Sequence, residues 1–354
     1  MEKRLMKALV KAEPKAGISY QDVPIPECGP DGILVKVMAA GICGSDVHMY
    51  EWTPNYEFSI PYMPFIMGHE FCGVVAETGK NITSFKPGDR VFCRCFFIDG
   101  TCEYCSDGKQ HFCRLGDKRL GLHMDGGFAE YCLMPENGLI KLPDSISFER
   151  GAMIEPMYVT ANAVYDSQIR FGDFCVVQGP GPIGLMTLLF AKARGAGKCV
   201  MLGTRRDEKR MELAKEFGAD YMIYGDEEDA QKRILELTDG MGADIVFECT
   251  GVPQMVQKGL DVIKKSGTLV AVGIYPAKAE LDLTSLVRSA KNIKGTYGGP
   301  VTLERLISWL DSSNPLVEKL DKLITHRSSI KNANEAFERC VRKENIKELF
   351  VNFD

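Results

Sequence analysis

The chain has 354 residues and a formal net charge of −5, with 45% hydrophobic and 26% charged residues. This is the composition of an ordinary globular protein, longer than one hydrophobic core usually serves. It offers no basic field for nucleic acid or an anionic membrane, no apolar run near the ~20 residues that span a bilayer, and no signal-peptide core in residues 1–10, so a cytoplasmic protein of two domains is expected.

Residues 1 to about 150 carry short β-type runs, at 33–39, 72–77, 89–93 and 128–134, broken by Gly and Pro turns. They predict a mostly antiparallel β domain with few helices. The chain holds 13 cysteines, an odd number without an export signal, which reads as thiols and metal ligands rather than a disulfide framework. Cys28, Cys72, Cys93, Cys132, Cys175, Cys199, Cys249 and Cys340 stand in apolar surroundings and read as inert buried thiols. Cys43, in G-I-C-G-S-D-V-H from Gly41, and His69, in G-H-E from Gly68, are a thiolate and an imidazole, the donor pair that zinc prefers. A catalytic zinc takes about three protein ligands and keeps one position open. Glu70, or Glu155 where the β domain hands over to the next, supplies the third. A second constellation, Asp99, Cys102, Cys105 and Cys113, suits a closed tetrahedral zinc pinning a lobe. Asp99 stands where a thiol is expected, a harder ligand, and Cys95 competes as the fourth donor.

Past about residue 155, strands alternate with helices. Strands are expected at 174–178, 198–202, 244–248 and 268–272, and helices at 183–193, 207–217 and 253–263. Such alternation implies right-handed crossovers and a parallel sheet covered on both faces. The first strand runs into Gly179-Pro180-Gly181-Pro182-Ile183-Gly184, a G-x-G-x-x-G loop placed before a helix. Its glycines permit a tight turn and close approach to a pyrophosphate on the helix N-terminus. Roughly 20 residues beyond that loop an NAD-binding fold offers an acid to the ribose. Here Gly203 takes its place, followed by Thr204, Arg205 and Arg206. A missing carboxylate and a guanidinium favour a 2′-phosphate, so NADP is expected over NAD, with Asp207 as the residue that restores NAD use if it reaches the ribose. From about residue 301 the chain is helical and amphipathic. It ends in a strand at 349–353 that is expected to return to the first domain.

Together with D-G-G-F-A-E-Y from Asp125 and the pattern Asp99, Cys102, Cys105, Cys113, these motifs make the chain resemble the medium-chain zinc alcohol dehydrogenases over nearly its whole length. The resemblance implies an α/β architecture in three segments: a GroES-like β domain holding zinc (1–156), a Rossmann doubly wound parallel sheet (157–294), and a C-terminal return to the first domain (295–354). Glu155-Pro156 with Val159 resembles the sorbitol, other polyol and butanediol dehydrogenases, and the stretch Tyr50-Glu51-Trp52 is also similar to threonine 3-dehydrogenases. By resemblance, Cys43 and His69 bind catalytic zinc, Glu70 and Glu155 alternate or bridge through water, Ser45 and His48 relay a proton, and Val159 packs on the nicotinamide. The implied reaction passes hydride between a secondary alcohol or polyol and NAD(P) in a homotetramer or homodimer. Two other classes compete: a zinc-free quinone-type reductase of the same superfamily and a non-enzymatic dinucleotide-binding protein. Pocket shape is expected to depend on residues such as Tyr50, Trp52, Phe58, Tyr62 and Tyr297.

Overall fold

The computed structural model describes residues 4–53, 62–114, 118–312 and 314–353; Phe58 lies outside them. The chain divides into two units, Met1–Glu155 together with Leu303–Asp354, and Pro156–Thr302. No helix among the described residues is long and apolar enough to cross a membrane.

The first unit begins with β1 (Leu5–Lys11), β2 (Ser19–Pro24), β3 (Gly32–Gly41), β4 (Phe65–Ile66), β5 (Glu70–Thr78), β6 (Arg90–Cys93), β7 (Tyr131–Pro135) and β8 (Leu139–Lys141). β1 pairs antiparallel with β2 and β4 in a small sheet. β3, β5, β6 and β8 form the body of a larger antiparallel one, with β7 paired to β3. Strand β7 starts later than residue 128 because Phe128 serves two other segments. Its N–H donates to Met67 O at 2.9 Å, and its carbonyl accepts from Leu9 N at 2.8 Å.

The second unit contains β9 (Phe174–Gln178), β10 (Lys198–Gly203), β11 (Tyr221–Tyr224), β12 (Ala243–Glu248), β13 (Ile263–Ala271) and β14 (Asn292–Gly295). All pairings are parallel, in the order β11-β10-β9-β12-β13-β14. The order reverses beside β9, the switch point where open α/β sheets bind ligands at the strands' carboxyl ends. β13 begins five residues before its expected start, because the helix Pro253–Val262 passes into it without a loop.

The chain then returns. β15 (Ile324–Ser329) and β16 (Lys347–Asn352) complete the first unit's sheet in the order β15-β16-β3-β5-β6-β8. Phe350 of β16 packs edge-to-face on Phe128 at 5.1 Å. Phe337, from the helix Ala333–Val341, stacks on Tyr50 at 4.8 Å. These three phenylalanines are fully buried, each burial stabilising by about 1.5–3 kcal/mol. Through Tyr50 they hold the helix Gly44–Glu51, which carries Ser45 and His48.

Candidate active site

Antiparallel pairing explains how distant residues converge. Gly41, at the end of β3, is opposite Glu70, at the start of β5. Cys43 leaves one strand just where His69 enters the other. β16 pairs Leu349 with Gly41, which brings Lys347 to the same sheet end. The ligand atoms of Cys43, His69 and Glu70 all lie within 4.8 Å of one another.

Asp46, fully buried in the first turn of the helix Gly44–Glu51, organises the first two. Its Oδ2 accepts the Cys43 N–H at 2.9 Å, and its Oδ1 faces His69 Nδ1 at 3.6 Å. A carboxylate against one imidazole nitrogen orients the other toward a metal. The other nitrogen, Nε2, is 3.4 Å from Ser45 Oγ. Burial pushes the His69 pKa down, but Asp46 and then Cys43 outweigh it and hold it well above the ordinary histidine value. Lys347, 3% exposed, ion-pairs with Glu70, 1% exposed, and donates to Ile42 O at 2.9 Å. Burial opposes its charge, and Glu70 more than restores it, raising its pKa. Glu155 is pushed upward chiefly by burial; His69 pulls it down and Glu70 pushes it up. A thiol, an imidazole and a carboxylate thus gather at one point, with Asp46 behind His69 and Lys347 paired to Glu70. That excess of acid and the soft-plus-imidazole donor set fit a divalent metal such as zinc.

In the lobe, Asp99, Cys102, Cys105 and Cys113 also bring four ligand atoms within 4.8 Å of one another. Cys102 Sγ is 3.6 Å from Cys105 Sγ and 3.9 Å from Cys113 Sγ. Asp99 Oδ1 accepts the N–H groups of Cys102 (2.9 Å) and Thr101 (2.7 Å). These bonds, Cys102's first, hold its carboxyl down at about 2. The carboxylate shapes the turn besides standing in the thiol's place. Cys95 is not in this group: its thiol donates to Glu155 Oε1 at 3.5 Å, which corrects the expectation that it competes for the lobe metal. We expect Asp99→Ala to lower metal per chain and thermal midpoint more than turnover, as read by elemental analysis and melting. Unchanged metal content would show that Asp99 is no ligand.

In the second unit Gly179 to Gly184 join β9 to the helix Pro182–Ala193. Gly181 is its N-cap, without a side-chain cap bond, and Pro182 pre-sets the first turn ahead of Ile183. The helix therefore opens with N–H donors free for an anion. A Cβ on Gly184 would lie 1.9 Å from Gly179 O, so the loop needs glycine there. Gly203 is bare for a similar reason: a Cβ would meet Met211 Sδ at 2.9 Å and Pro180 Cγ at 3.1 Å. Thr204 Oγ1 donates to Asp207 Oδ2 at 2.7 Å, turning that carboxylate back on its own turn. Arg205 lies over the Tyr224 ring at 4.3 Å, with Nε and Nη2 on Glu227 at 2.7 and 2.6 Å. Arg206 is exposed and has no partner among the described residues. Val159 lies half-buried in the helix Ile154–Asp166, one turn after Glu155. Tyr50 is buried, its OH donating to Glu338 Oε1 at 2.9 Å. Sequence reading missed Asp46, Lys347 and Glu227.

The profile described as "Alcohol dehydrogenase GroES-like domain" matches residues 29–144, and that described as "Zinc-binding dehydrogenase" matches 182–312. The sorbitol dehydrogenase of Halalkalibacterium halodurans is 34% identical over 99% of this chain and 100% of its own. The chain belongs to the medium-chain zinc alcohol/polyol dehydrogenase family. It is an oxidoreductase of GroES-like and Rossmann-type architecture with a C-terminal return. The L-threonine 3-dehydrogenase of Rhizobium johnstonii is 34% identical over 94% of this chain and 95% of its own. A solved structure from Sinorhizobium meliloti 1021, bound to NADP, is 31% identical with a TM-score of 0.86, covering 99% of this chain and 100% of that one.

Proposed function

We propose that this chain oxidises a secondary alcohol or polyol of the sorbitol or iditol type, reversibly, with NADP favoured over NAD. The gathering of Cys43, His69 and Glu70 at one sheet end carries the reading. When bound, zinc supplies a Lewis acid and the dinucleotide a hydride acceptor. Cys43 and His69 would hold the metal, with Glu70 or Glu155 as a further ligand, and Asp99, Cys102, Cys105 and Cys113 would hold a second one. Ser45 accepts the substrate's hydroxyl proton and passes it to His48, which shares its helix face at i+3. Burial lowers the His48 pKa, Glu51 partly opposing it, which favours the neutral ring. Its Nδ1 is 3.1 Å from Thr53 Oγ1, which fixes the ring.

The N–H groups of the Gly179–Gly184 loop bind the pyrophosphate, and Val159 packs on the nicotinamide. Arg205 and Glu227 already satisfy each other, so the unpartnered Arg206 is the readier phosphate ligand. Replacing Arg206 by alanine is expected to raise the KM for NADP about tenfold with little change for NAD, because the 2′-phosphate that it would bind by charge-assisted hydrogen bonds is present on NADP alone. Arg205→Ala is expected to do less. Equal changes for both cofactors would show that neither guanidinium reads the phosphate. The reading includes residues 1–156 as metal-holding domain, 157–294 as dinucleotide domain and 295–354 as return segment, in a cytoplasmic homotetramer or homodimer.

Similarity to L-threonine 3-dehydrogenases supports L-threonine as a second substrate reading. A zinc-free quinone-type reductase has no use for the gathered donors. A polyol panel plus L-threonine, assayed with each dinucleotide through reduced-nicotinamide absorbance, tests the proposal. Turnover of sorbitol-like polyols, faster with NADP and lost on removing zinc, is expected. Turnover of L-threonine alone would replace this reading with the second, and full turnover without metal would overturn both.

A further inference from the structure

We propose that Cys95 is a positioning residue of the metal centre, its thiol fixing Glu155 so that this carboxylate presents one oxygen to the metal. The inference rests on the metal reading of Cys43 and His69 given above.

Cys95 lies two residues beyond β6, whose Cys93 is opposite Phe71 of β5. Extending that antiparallel register by two residues brings Cys95 level with His69. Glu155 reaches the same place from the first turn of the helix Ile154–Asp166. The thiol donates to Glu155 Oε1 at 3.5 Å, an ordinary length for a sulfur donor. Oε2 makes no hydrogen bond among the described residues. The groups acting on Glu155 are those of the centre itself: His69, Glu70 and Lys347. One oxygen is therefore anchored, and the other keeps its lone pairs beside the gathered donors.

The anchor's chemistry matters. A thiol is a weak donor with long reach. It can fix a carboxylate's rotation without drawing much of the negative charge that a metal ligand needs. A lysine or arginine there would hold the group more tightly and neutralise it. Cys95 and Glu155 both stand outside the group formed by Cys43, His69 and Glu70, and the thiol is spent on Glu155, so its part is to aim that carboxylate toward the group. Cys72 and Cys249 make no contact of this kind. Cys72 donates to Phe148 O at 2.9 Å, and Cys249 Sγ is 3.9 Å from Thr187 Oγ1. Both serve packing.

The test uses zinc-loaded enzyme and a chelator, following zinc release. The release phase absent from Cys43→Ser defines the centre. Cys95→Ala should weaken zinc retention in that phase about tenfold, the usual scale for removal of an outer partner, with an unchanged melting midpoint of the metal-free protein. Cys95→Ser restores an O–H donor and should recover most of it. Glu155→Gln, which removes the ligand's charge, should lose at least as much as Cys95→Ala, and adding Cys95→Ala to it should cost nothing further, because the thiol acts only through that carboxylate. Wild-type release from Cys95→Ala, or losses that add in the double variant, would overturn the proposal. If Cys43→Ser lacks no phase, the metal reading fails instead.

Discussion

Lys347→Met is expected to destabilise the protein by about 3–5 kcal/mol, the cost of leaving one member of a buried ion pair uncompensated. Lys347 and Glu70 are both almost wholly out of solvent, and Lys347 also satisfies the Ile42 carbonyl. Methionine matches the lysine stem in length but supplies neither the charge nor the donor. For a unit of about 200 residues each kcal/mol moves the melting midpoint by roughly 2–4 °C, so a fall of about 10 °C should be seen in metal-free protein. Adding Glu70→Gln removes the orphaned charge and should recover much of the loss. A change below about 1 kcal/mol would show that Glu70 is balanced by something other than Lys347.

Cys43→Ser is expected to remove the metal of the main centre and to lower turnover by at least a thousandfold, about 4 kcal/mol of transition-state stabilisation. Serine is nearly isosteric, but its hydroxyl does not ionise near neutral pH and is a harder donor than a thiolate. Asp46 would still accept from the backbone N–H of residue 43, so the helix should form as before. The glycine loop proposed to bind the dinucleotide follows β9 in the other unit, so dinucleotide affinity should not change. Retained turnover in the variant, with wild-type metal content, would contradict the assignment of Cys43.

Much of this was legible in the chain because the signals are local. The glycine loop announces itself within six residues, and the lobe donors within fifteen. Strand–helix alternation pointed to the parallel sheet because both faces of its strands are buried and the helices cover them. Partnerships closed by tertiary pairing were not legible. Lys347 and Glu70 are 277 residues apart, and only the return of β16 to β3 joins them. A trace did exist: Lys347-Glu348 are two charges directly before the apolar run Leu349-Phe350-Val351 of the terminal strand, and both are buried. Glu348 is met by Ser328, Arg339 and Asn345. Cys95 was misassigned because proximity in sequence to Cys102 outweighed strand register, which points it toward His69. Arg205 illustrates the opposite hazard. Its position after β10 predicts a phosphate ligand, but the parallel pairing of β10 with β11 sets Glu227 beside it.

The most direct test of the metal centre is a crystal structure of the purified holoenzyme with anomalous data collected on both sides of the zinc absorption edge. A zinc peak is expected within about 2.3 Å of Cys43 Sγ and about 2.1 Å of His69 Nε2, with His69 Nδ1 still turned to Asp46. A holoenzyme whose zinc lies only among Asp99, Cys102, Cys105 and Cys113, or whose Cys43 and His69 point apart, would contradict it.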